Sequence, residues 1–224
     1  MAEDEDFKPA MRASALELPT VIPVFPLAGA ILLPKGQLPL NIFEPRYLRM
    51  IDDALGEGRV IGMVQPRDLE NDASPALYEI GCAGRLTSFA ETGDGRYLIT
   101  LTGISRFTVN EEIETDTPYR KMRVSYSIWS DDPDTDKTVS DVDRDRLFEA
   151  MRDYLDSENL SADWEAATSA PTDALVNSLA MGCPFPPPEK QALLESPTVA
   201  ERADCLIALM RMGAAEDDED HTIQ

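Results

Sequence analysis

Hydrophobic and polar positions divide the chain into a strand-like half followed by a helix-like half. Between Thr20 and Trp129, six short runs rich in β-branched and aromatic residues follow one another: TVIPVF, QLPLNIF, RVIGMVQ, YEIGCAGRLTSFA, RYLITLTGISRFTVN and YRKMRVSYSIW. Runs of this length, bounded by turn residues, predict strands. The fourth and fifth are joined by TGDG, in which Asp94 and Gly95 supply the positive φ angles of a tight turn, so the two are expected to pair as an antiparallel hairpin. Gly81, Gly84 and Gly103 interrupt strand-like runs. A missing side chain there marks a bulge or a sharp bend, and repeated bends favour a small barrel over a flat sheet.

One helix is predicted inside this half. Pro45 suits a first helical turn, Tyr47, Leu48, Ile51, Ala54 and Leu55 share one face, and Gly56 and Gly58 end the run. That face is expected to plug or cap the barrel. After Trp129 the segment SDDPDTDKTVSDVDRD offers nothing to bury, and beyond it the period turns helical. Leu147, Met151, Tyr154 and Leu155 form one stripe, and Leu175, Val176, Leu179 and Ala180 the next. Gly182 before CPFPPP stops that helix, a short one follows from about Pro188 to Leu194, and Thr198 with Glu201 has the capping-box spacing that opens a last helix, ended by Gly213. The expected class is therefore α+β. An acidic, disordered arm (1–17) precedes a β-barrel with one helix (18–130), an acidic linker (131–140), an α-helical bundle (141–213) and an acidic tail (214–224).

Charge narrows the range of partners. With 42 acidic against 20 basic residues the chain carries −22, a field that repels phosphate backbones, so no nucleic acid is expected as a partner. The longest apolar stretch, residues 21–33, is interrupted by Pro23 and Pro26, follows the acidic MAEDEDF and is too short to span a bilayer. No membrane partner is expected. Cys82, Cys183 and Cys205 are far apart and in no CxxC spacing, which speaks for a reducing cytoplasm and against a disulfide framework or a zinc site.

Candidate chemistry is sparse. The single histidine, His221, lies in the acidic tail, away from any shell that could orient it as a base. Lys8, Lys35, Lys121, Lys137 and Lys190 stand in no motif tying one to a serine. GEGRVIG at residues 56–62 runs from helix to strand, the reverse of a phosphate-binding loop. The acidic runs lack the spacing of a calcium loop. The reading is a chain with no catalytic residues, no metal and no cofactor.

The segment PVFPLAGAILLPKGQLPLNIFEPRYLRMIDDAL, with its FPL, LLP and LPLNIFEPRY elements, closely resembles the opening of the Lon protease N-terminal, or substrate-binding, domain. IGCAGRLTSFAETGDGRYLITLTGISRF resembles that family's paired strands and KQALLESPTVAERADCLIALM its final helices. The nucleotide-binding loop and peptidase of the full protease have no counterpart here, so the chain looks like a stand-alone recognition domain. The resemblance implies a PUA-like β-barrel followed by a helical bundle and a role in binding unfolded polypeptides or a protein partner; the chain itself is expected to be a monomer or weak homo-oligomer. The alternative is an assembly or regulatory partner of one folded protein; RNA binding and an unrecognised hydrolase are opposed by the charge and by the lack of a histidine outside the acidic tail.

Two groups of residues are expected to form the polypeptide-binding surface. Pro26, Leu27, Ile31, Leu33 and Pro34 belong to an apolar turn that is expected to stay partly exposed. Phe43, Glu44, Arg46 and Tyr47 surround the helix start. The structural account of the second group is that Phe43, like Phe25 and Leu40, is a core side chain, that Glu44 caps exposed amides, and that Arg46 bonds nearby carbonyls or a carboxylate.

Overall fold

The structure, a computed structural model, describes residues 18–67, 75–132 and 141–220. The arm 1–17, most of the expected linker (133–140) and His221 lie outside the described residues.

All six predicted strands form: β1 (Val21–Pro26), β2 (Gln37–Ile42), β3 (Val60–Val64), β4 (Ile80–Glu91), β5 (Tyr97–Ile113) and β6 (Lys121–Ser125). Their order is β2-β5-β4-β3-β1-β6, and β6 pairs back onto β5, closing five strands into a barrel that leaves β2 outside the ring. Closure depends on the length of β5, whose first half pairs with β2 (Tyr97↔Ile42 to Thr102↔Gln37) and whose second half pairs with β6 (Thr108↔Ser125 to Ile113↔Lys121). Register shifts at Ala83/Gly84, Leu86/Ser88 and Val109/Glu111 supply the curvature.

The TGDG hairpin is antiparallel as expected, but its turn differs. Thr92 and Arg96 enclose three residues, the Thr92 amide donating to the Arg96 carbonyl at 2.8 Å, and only Gly95 has a positive φ, 78°. A three-residue loop needs its left-handed residue at the last position alone, so Asp94 keeps a negative φ.

The helices are α1 (Pro45–Gly56), α2 (Arg144–Ser157), α3 (Trp164–Ser169), α4 (Thr172–Gly182), α5 (Pro187–Glu195) and α6 (Val199–Asp220). The capping box is present: the Glu201 amide donates to Thr198 Oγ1 at 3.1 Å and the Thr198 amide to Glu201 Oε2 at 3.3 Å. Gly213 does not end α6 as expected. A Cβ there would lie 3.0 Å from the Tyr154 ring, so the glycine lets α6 pass close over α2, and Ala214 and Ala215 carry the helix onward.

Two apolar clusters hold the fold. The smaller fills the barrel around Phe107, with Ile22, Val24, Val60, Val64, Met122 and Val124. The larger runs without a break from the outer barrel wall through α1 and residues 31–33 into α2, α4, α5 and α6. The outer wall of the barrel and the helices therefore share one core, separate from the barrel interior. The helix α1 does not plug the barrel: its buried residues Tyr47, Met50, Ile51 and Ala54 belong to the outer-wall cluster, with Tyr47 edge-on to Phe25 at 4.4 Å between ring centroids.

After α1 the chain turns through Gly58 (φ 91°) and Arg59 (φ 63°), whose amide donates to the Ala54 carbonyl at 2.8 Å. An exposed arginine in left-handed conformation is strained by about 1–2 kcal/mol, of which glycine returns part as chain entropy. Arg59→Gly is expected to raise the unfolding free energy by about 0.5–1 kcal/mol, measured by urea denaturation; an unchanged or lower midpoint refutes the strain.

Candidate functional site

The apolar turn expected at the binding surface is instead inside the molecule. Ile31 and Leu33 are 2% and 0% exposed, and Pro34 is buried as well. The backbone shows why. The Lys35 amide donates to the Gly103 carbonyl at 2.9 Å and the Gly103 amide to the Gly36 carbonyl at 2.8 Å, with Lys35 left-handed at φ 65°. This is a G1-type bulge joining the turn to β5. A Cβ on Gly103 would overlap the Leu33 carbonyl oxygen, and Asn177 of α4 donates to the Pro34 carbonyl at 3.2 Å. The turn is wedged between barrel and helices. Pro26 and Leu27 are half-buried, and Tyr47 belongs to the core, where burial raises its hydroxyl pKa.

Glu44 precedes α1 with extended backbone, but its side chain caps no amide. Its carboxylate is taken by Arg46, whose Nε donates to Glu44 Oε2 at 2.9 Å, and the guanidinium lies 4.6 Å from the Tyr47 ring centroid. Phe43 departs from the core reading: it is 64% exposed. Its neighbour Ile42 takes the buried side of β2, and side-chain alternation turns Phe43 outward.

That exposure is shared by a three-stranded arm. Pairing between β3 and β4 stops at Val60↔Arg85, whereas β4 continues to Glu91 against the first half of β5, which in turn carries β2. On one face of the arm Leu98, paired with Asn41, is 47% exposed. On the other face Phe89 is 40% exposed and stacks edge-on to Tyr97 at 4.9 Å, while the Tyr97 hydroxyl donates to Asp52 Oδ1 of α1 at 3.0 Å. That bond to a carboxylate raises the Tyr97 pKa. Sequence reasoning missed Phe89 and Leu98; the signal for Leu98 was its parity in YLIT, readable only once the buried neighbour Ile99 is fixed, whereas Phe89 lies on the same face as Ile99 and is exposed by its place at the edge of the arm.

Also missed was a buried polar seam between barrel and helices. Arg106 of β5 forms an ion pair with Asp132 (Nη2–Oδ1 2.7 Å), donates to the carbonyls of Leu194 and Pro197 at 3.0 and 3.1 Å, and stacks 3.9 Å over Trp129. Gln65 accepts from the Gly29 amide and donates to Gln191 and the Pro187 carbonyl. Arg202 donates to Asn177 Oδ1 and the Leu193 carbonyl, and Lys190 to the last carbonyls of α4 at Ala180 and Met181. These charged and amide groups bond one another and the backbone, so the seam holds the two halves together, while the buried Trp129 Nε1 has no hydrogen-bond partner among the described residues.

Burial pushes the Cys183 thiol up to about 11 and raises Cys82 and Cys205 too, so none is an activated nucleophile at neutral pH. Among the described residues no group of His, Cys, Asp and Glu is arranged to hold a metal, and no helix is long and apolar enough to cross a membrane.

A closed small barrel whose outer wall shares a core with a C-terminal helical layer is the fold of Lon N-terminal domains. A Lon N-terminal domain protein from Xanthomonas campestris superposes with a TM-score of 0.60 at 23% identity, covering 85% of this chain and 98% of that one. The N-terminal domain of a Mycobacterium avium complex Lon protease gives 0.57 at 14% identity with the same coverage. The chain belongs to the substrate-binding domain family of the ATP-dependent protease La (LON), whose family model matches residues 21–212. Curated relatives include Lon protease 2 of Myxococcus xanthus, 26% identical over 87% of this chain and 24% of that protein. Lon protease of Parabacteroides distasonis is 31% identical over 66% of this chain and 16% of that protein. The chain thus spans about a quarter or less of the length of these relatives.

Proposed function

We propose that the protein is a non-catalytic polypeptide-binding module that holds unfolded or extended segments of other proteins on its three-stranded arm. The family supports a substrate-binding role, and one observation carries the location: Phe43, Phe89 and Leu98, three of the large apolar side chains that face solvent, gather on a single arm whose inner side is tied to α1. Exposed apolar groups on a rigid support mark interaction surfaces. Of the residues expected from the sequence, Phe43, Glu44 and Arg46 remain available to a client; the turn at 31–34 acts by supporting β5 from behind.

Fluorescence anisotropy with a reduced and alkylated, permanently unfolded protein tests the assignment. The double variant Phe43→Ser, Leu98→Ser is expected to weaken binding by about tenfold or more, with its melting temperature almost unchanged because both side chains are exposed. Failure of the wild-type protein to bind any unfolded chain sinks the proposal.

A further inference from the structure

The two edges of the arm differ. On β2, Pro39 opposes Thr100, and since proline has no N–H it must sit where the strand's donors point away from β5. Leu38, Leu40 and Ile42 therefore bond to β5, as the bond between the Gly36 carbonyl and Gly103 two residues earlier also requires. The outward positions of β2 are Gln37, Pro39 and Asn41, and the proline breaks the row of free amides, a common protection against strand addition.

The same alternation fixes β4. If odd residues of β5 bond to β2, even ones (Leu98, Thr100) bond to β4, through their partners Ala90 and Ser88, in phase with the Thr92 amide that bonds Arg96. Phe89 and Glu91 then point their amides and carbonyls away from β5. No strand pairs with that edge among the described residues, residues 87–91 are exposed, and none is a proline. This edge is open.

Its side chains define what fits. Phe89 and Glu91 lie on one face of β4, the face that also carries Tyr97 and looks toward Asp52. An added strand would set two residues, two positions apart, opposite Phe89 and Glu91. The first meets an aromatic ring and the second a carboxylate, with Asp52 nearby, on a protein of formal charge −22.

We infer that residues 89–91 are a docking edge on which an extended, proline-free polypeptide segment adds as an extra strand, an apolar residue facing Phe89 and a Lys or Arg two positions away facing Glu91. The inference rests on the polypeptide-binding reading and specifies how that binding occurs. Recognition through the main chain tolerates varied sequences, and the alternate side chains add selectivity. Electrostatic complementarity on this face favours cationic segments.

Short fluorescent peptides containing one Lys-x-Leu or one Glu-x-Leu unit test it. The wild-type protein is expected to bind the Lys peptide about tenfold more tightly than the Glu peptide, and Glu91→Lys, a change at an exposed position, reverses the order. N-methylation of successive peptide amides is expected to weaken binding at alternate positions only, the signature of a strand on an edge. Phe89→Pro removes the outward donor and weakens binding by about tenfold, whereas Phe89→Leu stays within about threefold; circular dichroism of each variant establishes that it is folded. Peptide binding that is lost in the Phe43→Ser, Leu98→Ser protein, yet is indifferent to the methylation pattern and to Glu91→Lys, overturns the edge and leaves the module a polypeptide binder. Absence of binding by any unfolded chain overturns both.

Discussion

Asp132→Asn is expected to lower the unfolding free energy by about 3–5 kcal/mol, a fall in melting temperature on the order of 10–15 °C for a chain of this size. Asp132 is the anion for the buried Arg106: its carboxylate accepts from the Arg106 amide at 2.7 Å, from Nε at 3.0 Å and from Nη2 at 2.7 Å. Both side chains are 4% exposed. An amide of the same shape keeps the volume and loses the charge, leaving a guanidinium sealed from water with only carbonyls and the Trp129 ring to compensate it. The cost is increased by a second cation. Burial lowers the Arg202 pKa to about 10, the Arg106 charge pushes the same way, and Asp132 opposes both. Without the carboxylate, two buried arginines face one another. Urea denaturation of Asp132→Asn and of the double variant Arg106→Met, Asp132→Leu separates pairing from packing. The double variant is expected to be less damaged than Asp132→Leu alone, because it buries no unpaired charge. A loss below about 1 kcal/mol for Asp132→Asn, the size of a surface pair, refutes the account.

Gly103→Ala is the second large effect. A methyl group at this position would occupy the space of the Leu33 carbonyl and crowd the Pro34 Cα, so either β5 or the turn must move. Moving the turn breaks the two bonds of the bulge and withdraws Leu32 and Leu33 from the core. Overpacking costs about 1–3 kcal/mol and each lost backbone bond about 1 kcal/mol more, giving an expected loss of about 3–5 kcal/mol by thermal or urea unfolding. Gly93→Ala, in the β4–β5 loop, where nothing lies within 4 Å and φ is not positive, is expected to be close to neutral. Equal effects of the two substitutions would show that general glycine chemistry, and not the wedged turn, is responsible.

The order of strands and helices was legible because alternation and helical period are local properties: each run from TVIPVF to YRKMRVS carries its own signal, and Thr198 and Glu201 needed only each other. The turn at 31–34 was not. An apolar run between prolines looks the same whether it lies on a surface or is inserted beneath a sheet, and what decides between these is Gly103, about seventy residues away. The polar seam was hidden for a related reason. Arg106, Asp132, Lys190 and Arg202 are residue types that normally face water, and only the assembled carbonyls of residues 193–197 and of α4 make burying them tolerable. α3 was not singled out because it buries no residue; its local mark is Asp163, whose carboxylate accepts from the Ala166 amide at 3.0 Å. In the arm, residue type left Phe43 open between the binding surface and a core position, and the parity that exposes it became visible only with the register of β2 on β5.

One strand links these sites. β5 carries Leu98 in the arm, Gly103 against the wedged turn, Arg106 in the seam and residues 108–113 in the barrel closure. If a client is held on the arm as proposed, a pull on it loads this one strand. Arg106 ties that strand to the Leu194 and Pro197 carbonyls, so a load on Leu98 is expected to be shared with the segment that leads into α6.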